Sequence, residues 1–361
     1  MIAISLLLSS CALQRNAPPA DDARPADHLR EINGRYVLQR PLADYYDTVL
    51  VATRDRLSAP EPVTVAHAAD LLAGVDVVFY GESHDHAGVH VEQMRLLREL
   101  YQRDPLWILS LEQFERDTQG VLDDYLAGRS GEATLIDKGR AWNNYAASYR
   151  PLVLFAKEHH LPIVAAEAPG WAISCVGQWG PDILGQFTPL ERSWVAADVH
   201  ALPGAYRDKF LKFLGTSPAH GSAAASGADA AAQAQRSFSA QAARDDTMAE
   251  SIAEALRLHP GYRAVHVTGS FHSADFLGTV ERLRLRDPQL KIAVISPVEV
   301  DDPAAPSFAA EALSAGTFLQ LIYPNPEDYV AGEDTSALTA KMTHAHAANR
   351  CKYQLPVAAE P

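Results

Sequence analysis

The sequence predicts an α/β fold, a largely parallel sheet flanked by helices, with a helical excursion around residues 190–260. Three observations carry this prediction. Short apolar runs alternate with longer amphipathic ones through the middle of the chain. The apolar runs are rich in Val, Ile and aromatic residues, as strands buried on both faces are. The segments between them are long enough for the crossover helices that parallel pairing requires.

Taken in order, residues 1–10 read as a lipoprotein signal peptide, an apolar run of roughly eight residues that is too short to span a bilayer and suits an h-region. Leu8-Ser9-Ser10-Cys11 is similar to a lipobox, which makes Cys11 the lipidation site. Each buried methylene of an acyl chain adds about 0.8 kcal/mol of membrane affinity, so more than one chain anchors the protein stably. The expected location is the bacterial cell envelope, lipid-anchored, and Ala12 in place of an aspartate after Cys11 points to the outer membrane.

Residues 11–45, rich in Ala, Pro, Asp and Arg, read as a flexible tether. The domain follows over 46–330, with its core motifs in 65–300. Strands are expected at 75–80, 107–111, 162–166, 264–268, 292–295 and 317–323, and helices at 86–103, 151–160, 238–259 and 272–286. Residues 218–235, dominated by Ala, Gly and Ser, read as a low-complexity insertion in the helical excursion. From 331 to 361 the chain is polar and irregular, a disordered tail in which His344 and His346 offer only adventitious metal binding.

Lys and Arg number 31 against 45 Asp and Glu, a formal charge of −14 with no compact basic patch. A phosphate backbone is repelled, so no nucleic acid partner is expected. Beyond Cys11 there are two cysteines, Cys175 and Cys351. An oxidising compartment permits them to pair, while their spacing says nothing of their separation in space.

In parallel α/β sheets ligands bind beyond the carboxyl ends of strands. The strand over 75–80 runs into Gly81-Glu82-Ser83-His84-Asp85-His86, with His90 and Gln93 following; the next two end at Glu112-Gln113 and Glu167; a fourth ends Gly269-Ser270-Phe271-His272. If their strands are neighbours, the two Gly-x-x-His segments bring His84 and His272 together beside Glu82 and Glu112. Such a set either holds a divalent metal, with His84, His272 and Glu82 as ligands, or performs acid/base catalysis through Glu82, His84, Glu112 and His272. His90 serves equally as a packing histidine.

The run Asp76 to Gln93, with its Gly-Glu-x-His-Asp, resembles the opening motif of the ChaN-like haem-binding family in the Tiki, TraB and erythromycin-esterase-like superfamily. Glu112 to Gly128, Trp142 to Pro151, Glu167-Ala168-Pro169, Gln241 to Ser251 and Gly269 to His272 resemble it in the same order, over about 65–300. Position 271 is Phe where that family more often has a small residue. The resemblance implies surface haem binding linked to iron uptake, homodimers enclosing the porphyrin, and an outer-membrane haem receptor as partner. Haem needs an axial donor and an aromatic slot; Tyr145 and Tyr149 are the phenols considered as iron ligands, and Arg150 the partner of a propionate, although a Tyr pair four apart also packs on a helix face. The competing function is a hydrolase, metal-dependent or metal-free, built on the two Gly-x-x-His motifs and the rim carboxylates. A surface scaffold that uses neither chemistry is a third, with no repeat to support it.

Overall fold

The computed structural model describes residues 27–53, 59–216, 228–327, 330, 333 and 349–354. Among them are eleven strands: β1 (Leu29–Ile32), β2 (Arg35–Leu38), β3 (Val49–Ala52), β4 (Glu61–Val63), β5 (Val77–Glu82), β6 (Trp107–Glu115), β7 (Ile163–Glu167), β8 (Arg263–Gly269), β9 (Ile292–Glu299), β10 (Ser307–Ala309) and β11 (Phe318–Ile322). Eight form one sheet in the order β4-β3-β11-β9-β5-β8-β6-β7, in which β11, β9, β5, β8, β6 and β7 run parallel and β3 and β4 are antiparallel additions at one edge. The six strands expected from apolar runs are these six parallel ones. Their residues are buried almost throughout because helices cover both faces.

One face packs against the helices Val65–Leu71, Ala87–Arg103 and Arg150–Glu158 around Leu96, Leu97, Trp107 and Leu109. The other packs against Ala228–Leu258 and Thr279–Arg286 around Val77, Phe79, Ile108, Ile252 and Leu283. Local chemistry sets the helix starts. Thr64 accepts from the His67 amide at 3.1 Å, and His86 Nδ1 accepts from the Val89 amide at 3.3 Å while its Nε2 donates to the Tyr323 carbonyl at 2.8 Å. His86 is thus a helix cap.

Four expectations need correcting. Part of the expected tether is structured: β1 and β2 form an antiparallel hairpin completed by β10, because Tyr36 stacks on Phe308 at 5.4 Å and Leu38 and Leu42 are buried. Of the insertion at 218–235, residues from Ala228 belong to the helix Ala228–Leu258, since an Ala-rich run is an excellent helix former. The helix expected over 272–286 begins only at Thr279; before it come two 3-10 turns, with Asp275, Phe276 and Gly278 at positive φ. Of the tail, residues 349–354 are fastened to the domain by a disulfide between Cys175 and Cys351, whose Cα atoms lie 4.6 Å apart. Cys11, His344 and His346 lie outside the described residues.

Candidate functional site

Strands β5 and β8 are neighbours, with Gly81 opposite Thr268 and Glu82 opposite Gly269, so the two Gly-x-x-His segments leave the sheet side by side. Each glycine makes room for the other segment. A Cβ on Gly269 would lie 2.8 Å from His84 Cε1, and one on Gly81 would lie 3.2 Å from Ser270 Cα and from Ser273 Oγ. Ser270 also donates to the Glu82 carbonyl at 2.8 Å. On the other flank of β8, strand β6 loses register with β7 between Leu111 and Glu115, and Glu112 turns at this irregularity toward the end of β8.

Glu82 is the buried centre of the first half of the site. Its Oε1 accepts from His84 Nδ1 at 2.9 Å, Gln113 Nε2 at 3.1 Å and the Tyr149 hydroxyl at 2.6 Å, and its Oε2 accepts from Gln93 Nε2 at 2.8 Å. His90, itself buried, spans Gln93 Oε1 at 3.0 Å and the His84 carbonyl at 2.9 Å, and Asn144 donates to that same carbonyl at 2.7 Å. These bonds fix the His84 ring, whose side chain stays 43 % exposed beside the edge of Trp142. Its Nε2 has no protein hydrogen-bond partner among the described residues. Burial depresses the His84 imidazole, but the Glu82 bond and the Glu112 charge outweigh it and hold it above its ordinary pKa.

The second half is built on Glu112, His272 and the long helix. Glu112 Oε2 accepts from the Thr268 hydroxyl at 2.6 Å and the Gly269 amide at 2.7 Å, and its Oε1 accepts from Arg244 at 2.9 Å. Arg244 also reaches Glu167, whose other oxygen accepts from the Ala168 amide at 2.8 Å. His272 Nδ1 donates to Asp245 at 2.8 Å, with its Nε2 3.8 Å from Glu112 Oε1. Burial works to raise Glu112, yet the charges of His272, Arg244 and His84 hold it far below the usual carboxylate range. Burial likewise opposes His272, and Asp245 and Glu112 overcome it to raise its pKa. Glu167 sits above its ordinary value, through burial and Glu112, against the pull of Arg244.

Glu82, His84, Glu112 and His272 therefore line one cleft of about 580 Å³ together with Trp142, Arg244 and Phe271. Arg244 and Asp245 were not singled out from the sequence. The signal lay in Arg244-Asp245-Asp246, three adjacent charges inside an Ala-rich helix, of which both aspartates are fully buried. Phe271 lines the cleft and packs against Tyr206 and Phe213.

Two expected sets are not assembled. Among the described residues no group of three or more His, Cys, Asp or Glu is arranged to hold a metal ion, and Glu82, wanted as a ligand with His84 and His272, has both oxygens engaged in hydrogen bonds. Tyr145 and Tyr149 belong to the core; burial raises both phenols, Tyr149 is tied to Glu82, and Arg150 pairs with Glu132 at 2.6 Å. These phenols cannot meet an iron without unpacking that core. The residues that do fit haem are His84, with Nδ1 anchored and Nε2 unspent, and the aromatic walls Trp142 and Phe271.

The ChaN structure of Campylobacter jejuni with cofacially bound haem is similar over 79 % of this chain and 100 % of that one, at 14 % identity and a TM-score of 0.55. An erythromycin esterase mutant in its open conformation covers 73 % of this chain and 94 % of its own at 10 % identity, and a Bacillus cereus protein 72 % and 92 % at 10 %, each with a TM-score of 0.42. No curated protein matches the chain by sequence. Residues 68–283, more than half of the chain, match a single family and contain every residue of the cleft, and the chain belongs to that family, described as haem-binding uptake, Tiki superfamily, ChaN.

Proposed function

We propose that the protein is a haem-binding lipoprotein of the bacterial cell envelope, anchored to the outer membrane through Cys11 and acting in haem and iron uptake. The single observation in the chain's own geometry that favours it is the His84 imidazole. Its Nδ1 is held by a buried carboxylate, and its half-exposed ring stands at the mouth of an aromatic-walled cleft. A carboxylate behind the ring fixes the tautomer and raises the basicity of the free nitrogen, as it does behind many metal-bound histidines. When bound, ferric haem would supply a Lewis-acidic iron, which the His84 imidazole would hold. His84 is its donor in this reading, homodimers enclose the porphyrin, and an envelope receptor takes the haem onward.

Titration with haemin tests this directly. A Soret band is expected that shifts in His84→Ala and is unmoved in Tyr145→Phe; a band indifferent to His84 and lost with the phenol would reverse the assignment. Cys11→Ser is expected to move the protein from the membrane fraction to the soluble fraction.

A second reading is favoured by a different observation, the two imidazole–carboxylate pairs Glu82–His84 and Asp245–His272 on either side of an ionised Glu112. Either imidazole, when neutral, can take a proton from water attacking an ester or amide. Because both rings are held above their ordinary pKa, such a rate rises with pH through a midpoint above the normal histidine value. A broad ester and peptide screen on wild type and His84→Ala, with elemental analysis, decides it: inactivity throughout removes this reading.

A further inference from the structure

We propose that a second pocket, separate from the cleft, binds a small carboxylate with an apolar body, the chemistry of a medium-chain alkyl acid. The pocket, about 350 Å³, is lined by the start of the helix Ala205–Thr216, by Phe238 of the long helix and by the helix Thr279–Arg286, and it shares no lining residue with the cleft. Tyr206 stands between the two. Its ring lines the pocket and packs on Phe271 of the cleft at 5.7 Å, and its hydroxyl donates to Asp245, the partner of His272, at 2.7 Å. The inference therefore does not depend on what the cleft holds. Tyr206 and Phe238 are buried and close the floor, whereas Leu202 and Leu285 line the pocket and stay 57 % and 58 % exposed. An apolar occupant between these two leucines removes hydrocarbon surface that now faces water.

Charge decides the head group. Among the charged residues that line the pocket, Arg282 is already spent: it donates to Asp246 at 3.3 Å, to the Gly278 carbonyl at 3.0 Å and to the His200 carbonyl at 2.9 Å. Arg284 is not. Its exposed guanidinium lies over the Phe276 ring at 5.2 Å and, among the described residues, forms no hydrogen bond or ion pair. His200 has Nδ1 on Asp246 at 2.8 Å and, among the described residues, no partner at Nε2. Glu281 is the single carboxylate among the lining residues. Burial, with the Asp245 charge, raises its pKa against the pull of Arg282, so it gives up its charge more easily than an ordinary glutamate when a second carboxylate arrives. A cation would face two arginines, and an uncharged head group would leave Arg284 unanswered; a carboxylate on Arg284 completes a charge-assisted pair. At about 350 Å³ the space lies near the small end of ligand pockets, which suits a short alkyl chain and leaves no room for a macrocycle.

Calorimetric titration of the full chain with octanoate, octanol and octylammonium, one tail on three head groups, tests the assignment. Octanoate is expected to bind most tightly, octanol several-fold more weakly, and octylammonium to give no heat of binding over the same range. Arg284→Gln is expected to bring octanoate down to the affinity of octanol, and Arg284→Lys, which keeps the charge, to restore most of what is lost. Leu285→Ala, which removes apolar surface from the pocket, is expected to weaken octanoate and octanol alike. Both side chains are exposed, so the unfolding midpoints are expected to match wild type. If the three head groups bind alike, or if Arg284→Gln binds octanoate as wild type does, the anion site is overturned. If wild type takes up no octanoate, or if Leu285→Ala leaves both ligands unchanged, the pocket itself is overturned as a ligand site.

Discussion

At the scale of single residues, the two glycines of the Gly-x-x-His segments explain why the motif is doubled. Each lacks a Cβ that would crowd the opposite segment, so the glycines let the two halves of the site approach closely. Gly269→Ala places a methyl 2.8 Å from His84 Cε1. The His84 ring is half exposed and can swing away, so the expected stability loss in urea is about 1 kcal/mol, while the haemin spectrum becomes that of His84→Ala. An unchanged spectrum would mean the ring tolerates the methyl in place. His266 makes the opposite kind of prediction. It lies fully buried in β8 with Ser110 Oγ 2.9 Å from Nδ1 and, among the described residues, no partner at Nε2, and burial lowers its pKa to about 4. In the unfolded chain it protonates near 6.5, so below that pH the unfolded state gains protons that the folded state refuses until about 4. Stability is therefore lost as pH falls from about 6.5 to 4, by roughly 3 kcal/mol at most, and the loss is expected to be smaller in His266→Gln when urea midpoints are compared at pH 7 and pH 5. The motif residues Glu82, His84, Glu112 and His272 were legible in the sequence because they come within four residues of the ends of the apolar runs. Arg244 and Asp245 were not, because a charged residue in a helix normally faces water.

At the scale of elements, the long helix Ala228–Leu258 joins the site to the sheet. Arg244 holds Glu112 of β6 and Glu167 of β7 at once, and Asp245, one residue on, holds His272 after β8. Arg244→Leu leaves two buried carboxylates without their cation, and a loss of about 3 kcal/mol is expected in urea unfolding, with Arg244→Lys intermediate. A loss under 1 kcal/mol would show that the helix is held by its apolar face alone. The six parallel strands were readable because burial on both faces leaves continuous apolar runs. Strands β1, β2, β3, β4 and β10 were missed; each is only three or four residues long, and all but the buried β3 are partly exposed. The irregular stretch between His272 and Thr279 read as helix because its spacing of apolar residues is helical. The left-handed conformations of Asp275, Phe276 and Gly278 are what break it.

At the scale of the whole molecule, one covalent tie spans a sequence separation of 176 residues. Cys351 anchors a segment in which Lys352 lies over Trp171 at 4.3 Å and Tyr353 packs on Phe187 at 4.9 Å, both bonded to Glu191. Closing so long a loop restricts the unfolded chain strongly, so Cys351→Ser is expected to cost roughly 2–4 kcal/mol. Dithiothreitol is expected to lower the wild-type midpoint and to leave the variant unmoved; two free thiols in the native wild type would remove the bridge. The sequence had permitted this pairing and could not decide it, since spacing carries no distance.

The sequence by itself determined the α/β class, the parallel strands and the four rim residues, because hydrophobic periodicity and strand-end position are local properties of the chain. Tertiary structure alone decided that β5 and β8 are neighbours, that Tyr145 and Tyr149 point into the core, and that Arg244 and Asp245 complete the cleft. Those outcomes depend on strand order and on which helix face is buried, and both are settled only when segments far apart in sequence compete for the same interior.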